Sequence, residues 1–275
     1  LSRLKGKKIL VIEESTASQW LYMELREHVD ELIVCDPYRN HLLKEGAKSD
    51  KIDASKLVQL LRAGLLKPVF HSGEDFIYLR KVVSGYIDLV KTGVRLKNQK
   101  SALYRANGKG TGEGELEGDA EKFVLDGINK AINSYEEEKV RYEEKFETLS
   151  KKYKQIRILK SLPGIKNISA VKIVAMVVEA KRFPSSGHFL SYCGLIKLDR
   201  ISGGKVYGRK NPRYCRIMKS VFKSASMIST GENRNNPMRD YYTYLIQEKK
   251  LAEHNAKQAV ARRIAILAWG ILKSG

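Results

Sequence analysis

The chain has 275 residues, 51 Lys and Arg against 31 Asp and Glu, and a formal net charge of +20. Its length fits one large domain or two ordinary ones, and a hydrophobic content of 43% excludes global disorder. No apolar run reaches the ~20 residues of a bilayer span, the apolar stretch near the start runs into Glu13 and Glu14 as no leader would, and Cys35, Cys193 and Cys215 lack CxxC spacing, so a cytoplasmic protein with reduced thiols, no membrane partner and no zinc site is expected.

Lys8 to Glu14 (KILVIEE) is a short apolar, β-rich run and predicts a buried strand. Trp20 to His28 has helical character, and Glu31 to Cys35 (ELIVC) predicts a second strand closed by the turn-like Asp36 and Pro37. This rhythm fits a βαβ unit on a parallel sheet. Ser49 and Asp50 then mark a helix start, followed by Leu57, Leu60 and Leu61 before Gly64. Two strands and two helices are thin for a parallel core, so residues 1–72 read as part of an α/β domain with further strands expected upstream.

Residues 73–158 carry a sustained heptad pattern. The first seam runs Phe76, Leu79, Val83, Tyr86, Val90. The second runs Leu125, Ile128, Ile132, Tyr135, Lys139, Tyr142, Phe146, Leu149, Tyr153, Ile156, with steps alternating 3 and 4. Such a repeat predicts a coiled-coil arm through which copies of the chain associate. The alternative is a helical pair packed on its own domain. Residues 107–118 (NGKGTGEGELEG) are rich in glycine and acid and read as a flexible connection between the two helices.

The charges of residues 1–150 cancel, so the whole +20 lies in residues 151–275. A one-sided cationic field of this kind attracts a polyanion, and nucleic acid is the expected partner. Residues 159–275 read as a mostly helical basic domain. It opens on Leu159 to Val178, where a turn at Pro163, Gly164 and Ile165 between two helices suggests a helix-hairpin-helix with Lys166 placed beside a phosphate. An αα-corner with glycine as its C-cap explains the same stretch. Residues 201–216 (ISGGKVYGRKNPRYCR) read as a cationic loop in which Lys205, Arg209, Lys210, Arg213 and Arg216 neutralise phosphates, with Tyr207 and Tyr214 interleaved.

Three carboxylates and one hydroxyl are candidates for chemistry. Glu14 ends the first strand, where ligands collect in open α/β sheets. Asp50 and Asp53 are i, i+3 at a helix start and can face one side. Carboxylates so placed suit Mg2+, which takes oxygen ligands and acts on phosphodiesters. A capping pair, with Asp50 as N-cap and Asp53 as the acid at the third position, together with a surface Glu14, remains the other reading. Ser202 lies among glycines and cations that would stabilise a phosphate ester, or it is a turn former. The five histidines show no paired spacing.

Glu14, Thr16 and Trp20 in EESTASQW, residues 48–54 (KSDKIDA) and residues 60–66 (LLRAGLL) resemble the DEDD transposases of the one-hundred-and-ten family of insertion sequences, which are related to pilin-gene invertases. Residues 162–165 (LPGI), Arg182 and Phe183, residues 192–195 (YCGL) and residues 202–204 (SGG) resemble that family's second conserved domain, in the expected order. The resemblance implies a RuvC-like, RNase H-type N-terminal domain, a coiled-coil arm and a C-terminal transposase domain. It implies DNA recombination with a guide RNA at a composite site between protomers. It assigns divalent metal to Glu14, Asp50 and Asp53, and covalent attack on DNA to Ser202. The family's first aspartate precedes the glutamate on an opening strand, and no residue before Glu14 matches it. The segment after Ser202 is also shorter than the family's. A truncated RuvC-like domain that binds nucleic acid yet recombines little, or a silent remnant that only binds, is therefore expected.

Overall fold

The computed structural model describes residues 1, 3–38, 49–71, 74–110, 114–233 and 235–274. Lys48 and residues 111–113 of the glycine-rich connection lie outside them. The chain forms two compact units, Leu1–Gly73 and Glu74–Gly275.

In the first unit, β1 (Ile9–Glu13) pairs in parallel with β2 (Glu31–Cys35), Ile9 opposite Glu31 and Glu13 opposite Cys35. The crossover is α1 (Ser18–Leu25), extended by one 3-10 turn through His28. Residues 67–69 return beside β2, where Asp36 N donates to the Lys67 carbonyl and Val69 N to the Val34 carbonyl. Helix α2 (Asp50–Arg62) lays Leu57 and Leu60 on Cys35, with Val11 and Leu66 packed around them. Its cap is Ser49, whose hydroxyl accepts from Ile52 N at 3.3 Å. The cap therefore falls one residue earlier than the capping-pair reading puts it, and neither Asp50 nor Asp53 is the capping residue.

Among its described residues, the second unit is helical apart from one hairpin. Its long helices α3 (Glu74–Ala106) and α4 (Asp119–Lys152) run antiparallel against each other. Tyr86 meets Phe146 with ring centroids 5.0 Å apart, Lys97 reaches Glu136 at 2.6 Å, and Lys100 reaches Asn129 at 2.9 Å. The heptad residues thus face their own chain. Leu79, Val83, Tyr86, Phe146, Leu149, Tyr153 and Ile156 are buried in a core shared with the C-terminal helices. This is the helical pair packed on its own domain, because 3,4-spaced apolar positions fill an antiparallel intrachain interface as readily as one between copies.

That core centres on α6 (Asn167–Val177), whose residues Ala170, Val171 and Ile173–Val177 are all buried. Around it lie α5 (Lys154–Leu159), α7 (Ser186–Tyr192), α8 (Arg216–Ser229), α9 (Pro237–Gln247) and α10 (Glu253–Ser274). Phe146, Phe189 and Phe222 are fully buried within it.

The turn between α5 and α6 decides how closely α8 approaches. Gly164 has φ +78°, and a Cβ there would stand 2.2 Å from the Ala225 carbonyl oxygen. Gly164→Ala therefore meets both a left-handed backbone and a rigid neighbour. A loss of about 3 kcal/mol is expected in a denaturant melt. A change below about 0.5 kcal/mol would contradict this packing.

Candidate catalytic residues and nucleic-acid interface

In the first unit, Glu14 N donates to the Cys35 carbonyl at 2.9 Å, extending the parallel ladder by one residue. The exposed Glu14 side chain therefore stands at the carboxyl end of the sheet. Asp50 is the first helical residue of α2 and is exposed, while Asp53 sits one turn later and is half-buried. Asp53 Oδ1 is enclosed and has no hydrogen-bond partner. A buried acceptor left unpaired costs about 1–3 kcal/mol, and a hard cation is the kind of group that satisfies a carboxylate oxygen. The donor chemistry thus fits a divalent ion at this turn. Among the described residues, no three acidic, histidine or cysteine side chains converge on one point, so Glu14 is not drawn into one group with the two aspartates.

Asp36 was read from sequence only as a turn former. It is 6% exposed at the carboxyl end of β2, where its Oδ1 accepts from Tyr38 N at 2.9 Å. The preceding buried strand was the available signal that an acid at this point lies inside.

In the second unit, residues 198–210 form a β-hairpin where sequence predicts a loop. Strand β3 (Leu198–Ser202) pairs antiparallel with β4 (Lys205–Lys210). Gly203 (φ +55°) and Gly204 (φ +77°) make the two-residue turn, whose double positive φ suits the twist of a hairpin. Ser202 lies opposite Lys205 at the exposed strand end, beside a turn with no side chains to obstruct a backbone. Arg209 Nε donates to Asp199 Oδ1 at 3.0 Å, and the terminal nitrogens of this exposed side chain are its further donors.

Lys205, Lys210 and Arg216 are exposed, and Arg216 opens α8. Arg213 is exposed in the segment between the hairpin and α8. Tyr207 is free on the surface, whereas Tyr214 lies against Gly194 with Lys219 Nζ 4.3 Å above its ring. Tyr214 is thus a packing residue, not an open stacking platform.

Lys166 is exposed at the N-cap of α6, ahead of that helix's first turn. Gly164, by contrast, is set against α8, so the hairpin glycine serves packing.

Beyond Arg216, sequence reasoning missed the outer stripe of α8, where Ser220, Lys223 and Ser224 are exposed and Lys219 half-exposed, behind a buried face of Met218, Val221, Phe222 and Ala225. The 3.6-residue period of that apolar face was the signal.

Burial pushes the Cys193 thiol well above its ordinary range, which keeps it protonated and excludes it as a nucleophile. Burial also raises Tyr192 to about 12, and its hydroxyl donates to the Met176 carbonyl at 3.0 Å. Both are structural. Among the described residues, no helix is long and apolar enough to cross a membrane.

Residues 1–105 match a family model described as Transposase, of the DEDD type of IS110. Residues 156–243 match the model described as Transposase IS116/IS110/IS902 family. The chain is also similar to the insertion element IS110 uncharacterized 43.6 kDa protein of Streptomyces coelicolor, at 23% identity over 155 residues. That match covers 56% of this chain and 37% of the relative. The first model holds Glu14, Asp50 and Asp53, and the second holds Ser202 and most of the cationic surface. Matched in order across both units, the chain belongs to the IS110 family of transposases.

Proposed function

We propose that this chain cuts and rejoins DNA during transposition, directed by a guide RNA, with Ser202 as nucleophile and Mg2+ held by Asp50 and Asp53, which Glu14 joins only when ion and substrate are bound. In this reading residues 1–72 are part of a RuvC-like, RNase H-type domain. The α3–α4 pair is the arm, and residues 159–275 carry the serine and the phosphate contacts. Copies of the chain associate so that the carboxylates of one serve the serine of another. The observation that carries the reading is the enclosed, unpartnered Asp53 Oδ1 at the carboxylate-bearing turn of α2. A buried polar atom without a protein partner marks a place where water, an ion or a ligand is met, and for a carboxylate oxygen a hard cation suits best.

Asp50 and Asp53 lie one turn apart on α2, so one ion can take oxygens from both. When bound, Mg2+ supplies charge that offsets the negative charge building on the scissile phosphate. Ser202 Oγ forms a bond to phosphorus while the strand's own P–O bond breaks, and the proton lost from the serine is balanced by one gained at the departing sugar oxygen. The phosphodiester character is kept in the serine ester, so resealing needs no other energy source. Lys205, across the strand pair from Ser202, stabilises the developing negative charge at close range. Lys166, Arg209, Lys210, Arg213 and Arg216 hold the flanking phosphates.

The test is incubation of the chain, with guide RNA and labelled duplex, in Mg2+ and in chelator. Strand breakage and rejoining that require Mg2+ are expected. Tight binding with every strand intact would instead support a remnant that binds nucleic acid without cutting it.

A further inference from the structure

The β3–β4 hairpin stands in solvent on both faces. Every residue of its two strands is exposed except the half-buried Gly208. Ile201, Val206 and Tyr207 are 64%, 57% and 66% exposed. A lone two-stranded ribbon with bare apolar side chains is marginal in water, so this one is built to meet something. Its charged residues are Arg200, Lys205, Arg209 and Lys210 against Asp199, which is already paired with Arg209. The complementary surface must therefore be anionic along its sides yet offer apolar groups to Ile201, Val206 and Tyr207.

Resting on the recombinase reading, we propose that this ribbon enters the major groove of B-form DNA, with its cations on the flanking phosphates and Ile201, Val206 and Tyr207 against thymine methyl groups. The major groove is about 12 Å wide, admits a two-stranded β-ribbon and displays the thymine methyl on its floor. An A-form RNA helix offers a deep, narrow groove that side chains cannot read. The register shift between Arg200 and Ile201 leaves Tyr207 as the extra residue of β4. Such a bulge re-aims its side chain and increases the twist of the ribbon, which suits a helical groove. The hairpin thus contributes sequence preference of the protein's own, beside whatever a guide RNA specifies.

The experiment is dimethyl sulfate footprinting of the intact chain on a mixed-sequence DNA duplex, which reads guanine N7 in the major groove and adenine N3 in the minor groove. The comparison protein carries Ile201→Thr, Val206→Thr and Tyr207→Thr, changes that keep strand propensity. Protection of guanine N7 but not adenine N3 is expected for the wild type. The triple variant should lose that protection, while the remaining cations hold its affinity to within about tenfold. The same-sequence RNA duplex should compete poorly against wild type and equally well against the variant. Unprotected N7 under bound wild type, protection retained by the variant, or equal competition by RNA against wild type would each overturn the groove assignment. Failure of the wild type to bind any duplex would instead overturn the recombinase reading on which it rests.

Discussion

Phe146→Asp is expected to unfold the unit Glu74–Gly275. Phe146 is fully buried, its ring packs against Tyr86 at 5.0 Å and Tyr142 at 6.4 Å, and it joins the core that runs from α3 to α10. Truncating such a side chain costs about 3–5 kcal/mol, and enclosing a carboxylate in its place adds several more. A domain's whole stability is about 5–15 kcal/mol. Ile132→Asp, at a half-buried position farther along the arm, should cost about 1–3 kcal/mol and leave the unit folded. Circular dichroism and sedimentation separate the possibilities. If Phe146→Asp gave a smaller but fully folded species with an unchanged melt, the seam would belong to an interface between copies instead.

Asp53→Ala is expected to lower strand cleavage by roughly 10²-fold or more, and at the same time to stabilise the unit Leu1–Gly73. The enclosed, unpaired Oδ1 is a liability that alanine removes, a gain of about 1–3 kcal/mol. Against it stands the loss of an acid near the N-terminus of α2, about 0.3–1 kcal/mol. The net is a stabilisation of about 1 kcal/mol, the usual signature of a group kept for function. Asp50→Ala is the control. Asp50 is exposed, so its loss should impair cleavage with no gain in stability. Wild-type cleavage by Asp53→Ala, or a lower melting point, would contradict the metal assignment.

The local elements were legible because their signals are local. Alternating and continuous apolar runs gave β1 and β2, and Ser49 before an apolar period gave α2. The +20 confined to residues 151–275 pointed to the unit that bears the exposed cationic hairpin and α8. What stayed hidden depended on distant partners. Periodicity shows that Tyr86 and Phe146 are inward, but it does not say whether the partner helix belongs to the same chain. The glycines at 203 and 204 were read as loop formers because the flanking strands carry no apolar alternation, both faces being exposed. Lys219 and Lys223 escaped notice because their meaning comes from the buried face of α8 opposite them. Asp53 could be seen as an i, i+3 partner of Asp50, but the enclosure of one oxygen is a property of the fold.

The central claim, that the chain joins itself to DNA through a serine, is tested most directly by trapping the adduct. The intact chain is incubated with guide RNA and a radiolabelled duplex in Mg2+, quenched in denaturant and run on a denaturing gel. Two aspartates with substrate oxygens can hold the ion, because Mg2+ needs only one or two protein carboxylates. With the ion bound, the label should accumulate with time as the serine ester forms. The account predicts a Mg2+-dependent labelled band that digestion assigns to Ser202, absent from Ser202→Ala although that variant binds the duplex as tightly. A labelled band that persists in Ser202→Ala, or no band at all from a chain that binds the duplex, would contradict it.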